Sequence, residues 1–470
     1  MSVSPQLVGP QDFIDRSPIG ARQRLAVAMC FLVMLADGME VTIASHVFPS
    51  LMKDFGAPIG SISAVVALSA VGLAIGALAS GRAADRFGRK PVIITGVILF
   101  GIGTFALAAS PDLMTFAVIR IVSCLGIGGV IPVTVTLVTD LVPRARRAQM
   151  SALAFAGVPF GTIVGAYLAT ILIPTSGWRS LLLTAGVIPI VIVIAFILIV
   201  PESPSFVASR GGSEAKVKAL LRRVTGHDDA GAIDLSQVAT PEQAVARGSF
   251  HVISSRALLA TTILLWIFSF FGQGVNLLIV QFLPTMLQTP PGPGLSTVES
   301  GNVVAAWGWG AVIGGVLAAF ALKRFDRFYT IAGLLVWSLI GILVIGLADL
   351  GFVGLVITAF LLGLTLPPAL GLINVVASLA YPVDARATGV GAVGFVGRVG
   401  NIASGAAGGA LLAAGLGLSG VFLALTAPVA LCVGVILLLR RTTMRRARFA
   451  DDGALLAASS PVPTEPTPRG

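Results

Sequence analysis

Apolar stretches of about 20 residues, the length that crosses the hydrocarbon core of a bilayer, recur along nearly the whole chain and alternate with short polar breaks. Hydropathy places them at roughly 24–48, 61–81, 91–110, 113–141, 149–173 and 179–200, and again at roughly 258–284, 300–322, 329–349, 351–380, 386–415 and 417–439. A polar stretch from Pro201 to Ala257 separates the two sets. The pattern predicts an all-α membrane protein with twelve transmembrane helices in two pseudo-symmetric six-helix bundles, a plan that puts a transport site near the midplane. The expected divisions are an N-terminal segment 1–23, a first bundle 24–200, a linker loop 201–257, a second bundle 258–440 and a disordered tail 441–470.

Composition agrees with a bilayer as the solvent. Of 470 residues, 56% are hydrophobic and 11% charged, against roughly 25% charged in soluble domains, and mean hydropathy is +0.96. The net charge of +10 does not mark a nucleic-acid binder, because the cations fall in every second connection. They cluster at Arg16, Arg22 and Arg24, at Arg82, Arg86, Arg89 and Lys90, at Arg144, Arg146 and Arg147, in the linker, at Lys323, Arg324 and Arg327, and from Arg440 to Arg448. Of the other connections, only those holding Lys53 and Arg179 are basic at all. The positive-inside rule then puts both termini and the linker in the cytoplasm, with the chain multi-pass in the cell's inner (plasma) membrane. The first twenty residues are polar and broken by Pro5, Pro10 and Pro18, so the first span is expected to act as an uncleaved signal anchor. Cys30, Cys124 and Cys432 all lie in spans, which argues against a disulfide framework.

Many of the 55 glycines sit inside spans, among them Gly72, Gly76, Gly126, Gly128, Gly157, Gly161 and Gly165. Small residues four apart let membrane helices approach closely; close packing and a surface smooth enough for sliding both fit them.

Acids and arginines inside spans carry the chemistry. Asp37 lies 13 residues beyond Arg24, roughly 20 Å along a helix and so near mid-membrane. Glu40 is three residues on and shares its face. A charged acid there costs roughly 2.5–3.5 kcal/mol even on lenient insertion scales. Two close carboxylates in low dielectric resist ionising together, which makes Asp37 and Glu40 candidates for proton coupling; a structural ion pair with a membrane arginine is the other reading. Arg120 in the fourth span and Arg398 in the eleventh place one guanidinium in each half. Each presents a fork that matches carboxylate oxygens and is a candidate to bind an anionic solute, with pairing to the first span the alternative for Arg120. Gln273 and Asn276 are polar groups at helical spacing, fit either to bond a ring substituent or to bond a neighbouring helix. Trp266, Phe270, Trp307 and Trp309 are candidates for stacking or for packing against lipid.

The connection Gly81-Arg82-Ala83-Ala84-Asp85-Arg86-Phe87-Gly88-Arg89-Lys90-Pro91 reads as an ion-pair latch in a tight turn. It resembles the major facilitator superfamily signature G-x-x-x-D-R-x-G-R-K and meets every fixed position. The resemblance implies a gating role on the cytoplasmic side for Asp85 and Arg89, with Arg86 beside them. At the matching place in the second half Lys323 stands where the acid is expected, and Asp326 is displaced by three residues.

Asp37-Gly38-Met39-Glu40 resembles the DGxD motif of the aromatic acid:proton symporter family, with Glu40 replacing the usual aspartate. The likeness continues at Arg120, at Asp140 with Arg144 and Arg147, and at Pro201-Glu202-Ser203-Pro204. It extends to Trp266, Phe282-Leu283-Pro284-Thr285, Arg386-Ala387-Thr388-Gly389 and Gly397-Arg398-Val399-Gly400, covering roughly residues 20–440. It implies uptake of benzoate-like or other aromatic carboxylates with protons, and a transport role for Asp37, Glu40, Arg120, Asp140, Arg386 and Arg398. Asp140, near Arg144 at the cytoplasmic edge, fits a gate pair with the Arg86–Arg89 loop.

Other readings stay open. Gly157-Val158-Pro159-Phe160-Gly161 partly resembles the antiporter signature of drug and metabolite exporters, and metabolite and sugar symporters share the Pro-Glu-Ser-Pro and Arg-Ala-Thr-Gly elements. A transporter-like sensor that binds without flux is a third. His46, His227 and His251 form no metal-ligand pattern, no nucleotide loop of the type G-x-x-x-x-G-K-[ST] occurs, and no nucleophile–base pair suggests an enzyme. The expectation is a monomeric, cofactor-free, proton-coupled symporter that imports a small organic anion by alternating access.

Overall fold

The structure is a computed structural model that describes residues 9–226, 249–382 and 385–458, and every regular element among them is helical. The first bundle holds α1 Ala21–Asp54, α2 Ile59–Phe87, α3 Arg89–Leu107 and α4 Leu113–Leu141. Helix Gly157–Ile199 supplies two more, α5 and α6, divided where Gly177 takes φ 80°, a conformation that favours glycine. The second bundle holds α7 Arg256–Gln288, α8 Thr297–Arg324, α9 Arg327–Leu347, α10 Phe352–Ala380, α11 Arg386–Ala413 and α12 Leu418–Ala458. Ten helices are long and apolar enough to cross a membrane, one of which the Gly177 break splits. With α11, the described residues hold the twelve expected segments of a multi-pass membrane protein.

Helices outrun the apolar windows that located them, because intrahelical hydrogen bonds continue past the point where apolar side chains stop. α1 runs to Asp54 and α12 to Ala458. The expected disordered tail therefore starts as helix: between 441 and 458 no proline interrupts the chain, and Pro461 is the first after Arg441. Residues 459–470 lie outside the described residues, as do 1–8 and the middle of the linker, 227–248 with His227.

The linker is also more than a loop. Helix Glu214–Thr225 starts where Ser213 Oγ accepts from the Lys216 amide (3.4 Å) and ends at Gly226, in the left-handed region at φ 80°. Its Val217 and Leu221 share one face and pack with Ala208 of helix Pro204–Ser209 and Ile14 of helix Pro10–Arg16. The N-terminal segment 1–23 thus contributes a short helix seated on the linker.

Packing within the first bundle is backbone to backbone. A Cβ at Gly38 would run into the Val158 carbonyl, and one at Gly161 into the Leu35 carbonyl, so α1 and α5 touch through their main chains beside Asp37. Gly76 and Gly128 do the same for α2 and α4. By contrast Gly81 and Gly391 face open space. Between bundles, Gly301 and Gly308 of α8 meet Thr170 and Ile163 of α5, and Gly405 and Gly409 of α11 meet Ala67 and Ser63 of α2. These contacts lie at the middle of the bundles or toward the ends away from the basic connections, so the bundles close together on the face opposite the basic one.

Gly161→Val forces α1 and α5 apart at a contact with no side chain to yield. It is expected to lower the thermal midpoint of the purified protein in detergent by several degrees, whereas Gly391→Ala leaves it unchanged or slightly higher.

Candidate transport site

Burial selects the centre. Asp37 and Glu40 on α1 are 3% and 1% exposed, and Arg120 on α4 is 2% exposed. Arg120 Nη1 donates to Glu40 Oε1 in a buried ion pair, so of the two readings of Arg120 the structure shows the pairing with α1. Glu40 Oε2 and Asp37 Oδ1 are buried without a hydrogen-bond partner. Asp37 lies within electrostatic reach of Arg398, Glu40 and Arg120.

Arg398 reaches from the second bundle into the first. Its Nη1 donates to the Leu73 carbonyl of α2 (3.5 Å) and its Nη2 to the Gly128 carbonyl of α4 (3.4 Å). Both bonds are long, and the guanidinium is only partly buried. Two acids and two guanidinium groups, drawn from α1, α4 and α11, thus converge midway along α1, where α11 meets the first bundle.

Further polar and aromatic groups stand on α5, α7, α8 and α11. Gln273 on α7 packs against Gly397, next to Arg398, and Asn276 lies one turn on along the same face. Asn276 Oδ1, Trp266 Nε1 and the Oδ1 of Asn401, one turn beyond Arg398, are buried without partners. Phe160 of α5 and Trp309 of α8 meet edge-on across the bundles at 5.9 Å between centroids. Asn401 escaped the sequence reading; its three-residue spacing from Arg398 was the available signal.

The basic face holds the residues expected to gate. Arg89 Nε pairs with Asp140 Oδ2 at 3.4 Å, and its guanidinium lies 5.2 Å from the centre of the Phe206 ring. Asp85 is exposed; its backbone carbonyl accepts from Arg210 Nη2 (2.6 Å), while its carboxylate forms no ion pair among the described residues. The ion pair of this connection is therefore the one expected between its arginines and Asp140, without Asp85. Arg86 lies against Phe87. Arg144 turns from Asp140 to Asp15, with its Nε 3.0 Å from Asp15 Oδ2 and its amide donating to Oδ1 at 2.7 Å. Arg386 is exposed at the start of α11.

Glu202 emerges as a structural acid that the motif reading quoted without a role. Its carboxylate accepts from the amides of Arg89 (3.2 Å) and Lys90 (3.2 Å to Oε2), capping α3 from 112 residues away. Burial lifts the Glu202 carboxyl above the ordinary range, opposed by the amides of Ser203, Lys90 and Arg89. In the second bundle, Asp326 caps its own helix through the amides of Phe328 (3.0 Å) and Tyr329 (3.3 Å) and pairs with Arg440 of α12 at 3.7 Å.

Known proteins resemble this chain in sequence and in fold. The sequence profile of the Major Facilitator Superfamily matches residues 30–292. The chain is 31% identical over 437 residues to the 4-hydroxybenzoate transporter PcaK of Pseudomonas aeruginosa, covering 91% of this chain and 95% of the relative. It is 32% identical over 421 residues to the gallate transporter of Pseudomonas putida, covering 89% and 92%. In structure it superposes on the partially occluded, inward-open xylose transporter XylE of E. coli with a TM-score of 0.71 at 17% identity, over 90% of this chain and 98% of that one.

Breaking a buried ion pair strands a charge, at a cost of about 3–5 kcal/mol. Arg120→Ala alone is therefore expected to destabilise the protein strongly, and Arg120→Ala with Glu40→Ala to recover much of the loss. Thermal unfolding of the three proteins in one detergent measures the difference.

Proposed function

Because this chain belongs to the Major Facilitator Superfamily, we propose that it is a proton-coupled secondary transporter that imports a ring-hydroxylated aromatic carboxylate, one proton with each anion. The observation that carries the reading is the charge balance of the buried centre. Asp37, Glu40, Arg120 and Arg398 sum formally to zero. An anion alone, or a proton alone, leaves one net charge in the middle of the bilayer, whereas the two together leave none. A buried net charge costs roughly 2.5–3.5 kcal/mol on insertion scales, so each ligand favours the other by about a hundredfold.

The roles divide by geometry. Glu40 is held by Arg120, which leaves Asp37, with an unpartnered oxygen, as the proton carrier. Arg120 is correspondingly occupied, and Arg398 is the guanidinium that receives the solute. Its bonds to the Leu73 and Gly128 carbonyls, at 3.5 and 3.4 Å, yield to a carboxylate, which adds the opposite charge and takes two parallel N–H bonds at once. The unpartnered acceptors of Asn276 and Asn401 suit a hydroxyl donor on the ring, and the relatives' names, 4-hydroxybenzoate and gallate transporter, are those of hydroxylated benzoic acids. Phe160 and Trp309 supply an aromatic wall.

The positive-inside rule assigns the basic face, where α1 begins, to the cytoplasm of a cell whose inner membrane holds the protein as a monomer. Closure on the opposite face then makes this the state open to the cytoplasm. Arg89–Asp140 belongs to the gate on the basic face.

Proteoliposomes with an imposed pH gradient test the scheme. Wild type is expected to accumulate labelled 4-hydroxybenzoate until a protonophore is added. Asp37→Asn should keep solute exchange but lose gradient-driven accumulation, and Arg398→Ala should lose roughly tenfold to a hundredfold in apparent affinity. Accumulation that survives the protonophore, or persists undiminished in Asp37→Asn, refutes proton coupling. Asn276→Leu should raise KM for 4-hydroxybenzoate roughly tenfold and leave benzoate nearly unchanged; an equal loss for both acids removes the hydroxyl role.

A further inference from the structure

On the basic face, away from the central charges, a cavity of about 300 Å³ opens between the start of α1, the ends of α4 and α6 and the linker helix Glu214–Thr225. Arg22, Gln23, Leu25, Leu141, Ile199 and Arg223 are among its walls, and none of its lining residues is acidic. Gln23 is engaged at both polar atoms: its Nε2 donates to the Leu141 carbonyl (2.8 Å) and its Oε1 accepts from the Gly20 amide (2.9 Å).

The two arginines are not so engaged. Arg22 Nη1 donates to the Arg222 carbonyl (3.3 Å) and Arg223 Nη2 to the Leu198 carbonyl (3.1 Å). Steadying these helix-end carbonyls takes one N–H of the five on each guanidinium, and both side chains are exposed. Lys90 Nζ, donating to the Ile197 carbonyl (2.7 Å), adds a third cation within electrostatic reach of Arg223, although it also faces Glu202. Directly beside the cations the surface turns apolar: Leu25 is 45% exposed, Ile197 40% and Leu198 69%. These side chains sit on membrane-spanning helices, one turn or less from the charged rim.

Cations around a cavity, above an apolar surface at the end of three spans, match an amphiphile with an anionic head. We propose that this cavity binds the phosphodiester headgroup of an anionic phospholipid, with Arg22 and Arg223 on the phosphate and the acyl chains along Leu25, Ile197 and Leu198. A soluble phosphate would use the same arginines but gain nothing from the apolar lip. Bound there, the lipid would join the linker helix to the start of α1.

The full-length protein, purified in a neutral detergent, tests this by thermal unfolding with added phosphatidylglycerol, phosphatidylcholine or inorganic phosphate. Phosphatidylglycerol is expected to raise Tm by several degrees and the other two to leave it in place. Arg22→Gln with Arg223→Gln should abolish the rise, and Arg327→Gln, on the same face of the second bundle, should keep it. Should the double variant not fold, Leu25→Glu places an acid at the exposed lip without touching either arginine–carbonyl bond and should likewise abolish the rise. The proposal is overturned if the double variant or Leu25→Glu responds as wild type does. It is equally overturned if inorganic phosphate reproduces the shift, which marks a soluble-anion site, or if Arg327→Gln loses it, which marks a general charge effect.

Discussion

Glu40 and Arg120 meet with almost no solvent around either side chain, and the other charges of the centre arrange themselves around that contact. A guanidinium does not shed its charge, and an unpaired one in hydrocarbon is costly, so Arg120 obliges α1 to keep a carboxylate beside α4. Once Glu40 supplies it, Asp37, one turn along the same face, is left to the fields around it. The cation that acts on it most strongly is Arg398, from the other bundle. The full set of four charges is therefore assembled only while the two bundles stand together.

In the proposed cycle this dependence is what couples ligands to motion. Arg398 ties α11 to α2 and α4 through two long bonds to carbonyls that already belong to helices. A solute carboxylate is the stronger acceptor and takes the guanidinium from them, while a proton on Asp37 removes its attraction for the same group. Both ligands thus act on one inter-bundle contact. The neighbouring contact of Gly405 and Gly409 with Ala67 and Ser63 has little side chain to interlock, so once the charge link changes, the surfaces are smooth enough to move.

The spans were legible because a bilayer demands long apolar helices, and few sequences satisfy that twelve times by other means. The charged residues of the centre stood out for the same reason: an acid or an arginine inside a span is costly. Partners were less legible. Arg120 finds Glu40 80 residues away, and nothing in spacing chooses between that pairing and a solute. Arg89 meets Asp140, the pairing that the place of Asp140 at the cytoplasmic edge suggested, while Asp85 stays outside it and Arg144 goes to Asp15 rather than to its near neighbour. Helix ends were missed wherever backbone bonding outlasted hydropathy, as in α12, or where a few apolar residues in a polar stretch, Val217 and Leu221, found Ile14.

The bundles cap corresponding helices by different means, and the difference bears on which of them moves. α9 carries its own cap, Asp326, steadied by Arg440 of α12. α3 follows Gly88 with no side-chain cap of its own and borrows Glu202 from beyond α6. Arg89, beside that cap, also pairs with Asp140 of α4 and lies over Phe206 of the linker. One point on the basic face therefore joins α3, α4, the end of α6 and the linker, and the linker is held in turn by the helix Pro10–Arg16. In the proposed cycle, rocking that opens and closes this face carries the first bundle as one block and turns the second against it. Glu202 stands at the centre of that block: by accepting from the amides of Arg89 and Lys90 it ties the start of α3 to the segment that follows α6.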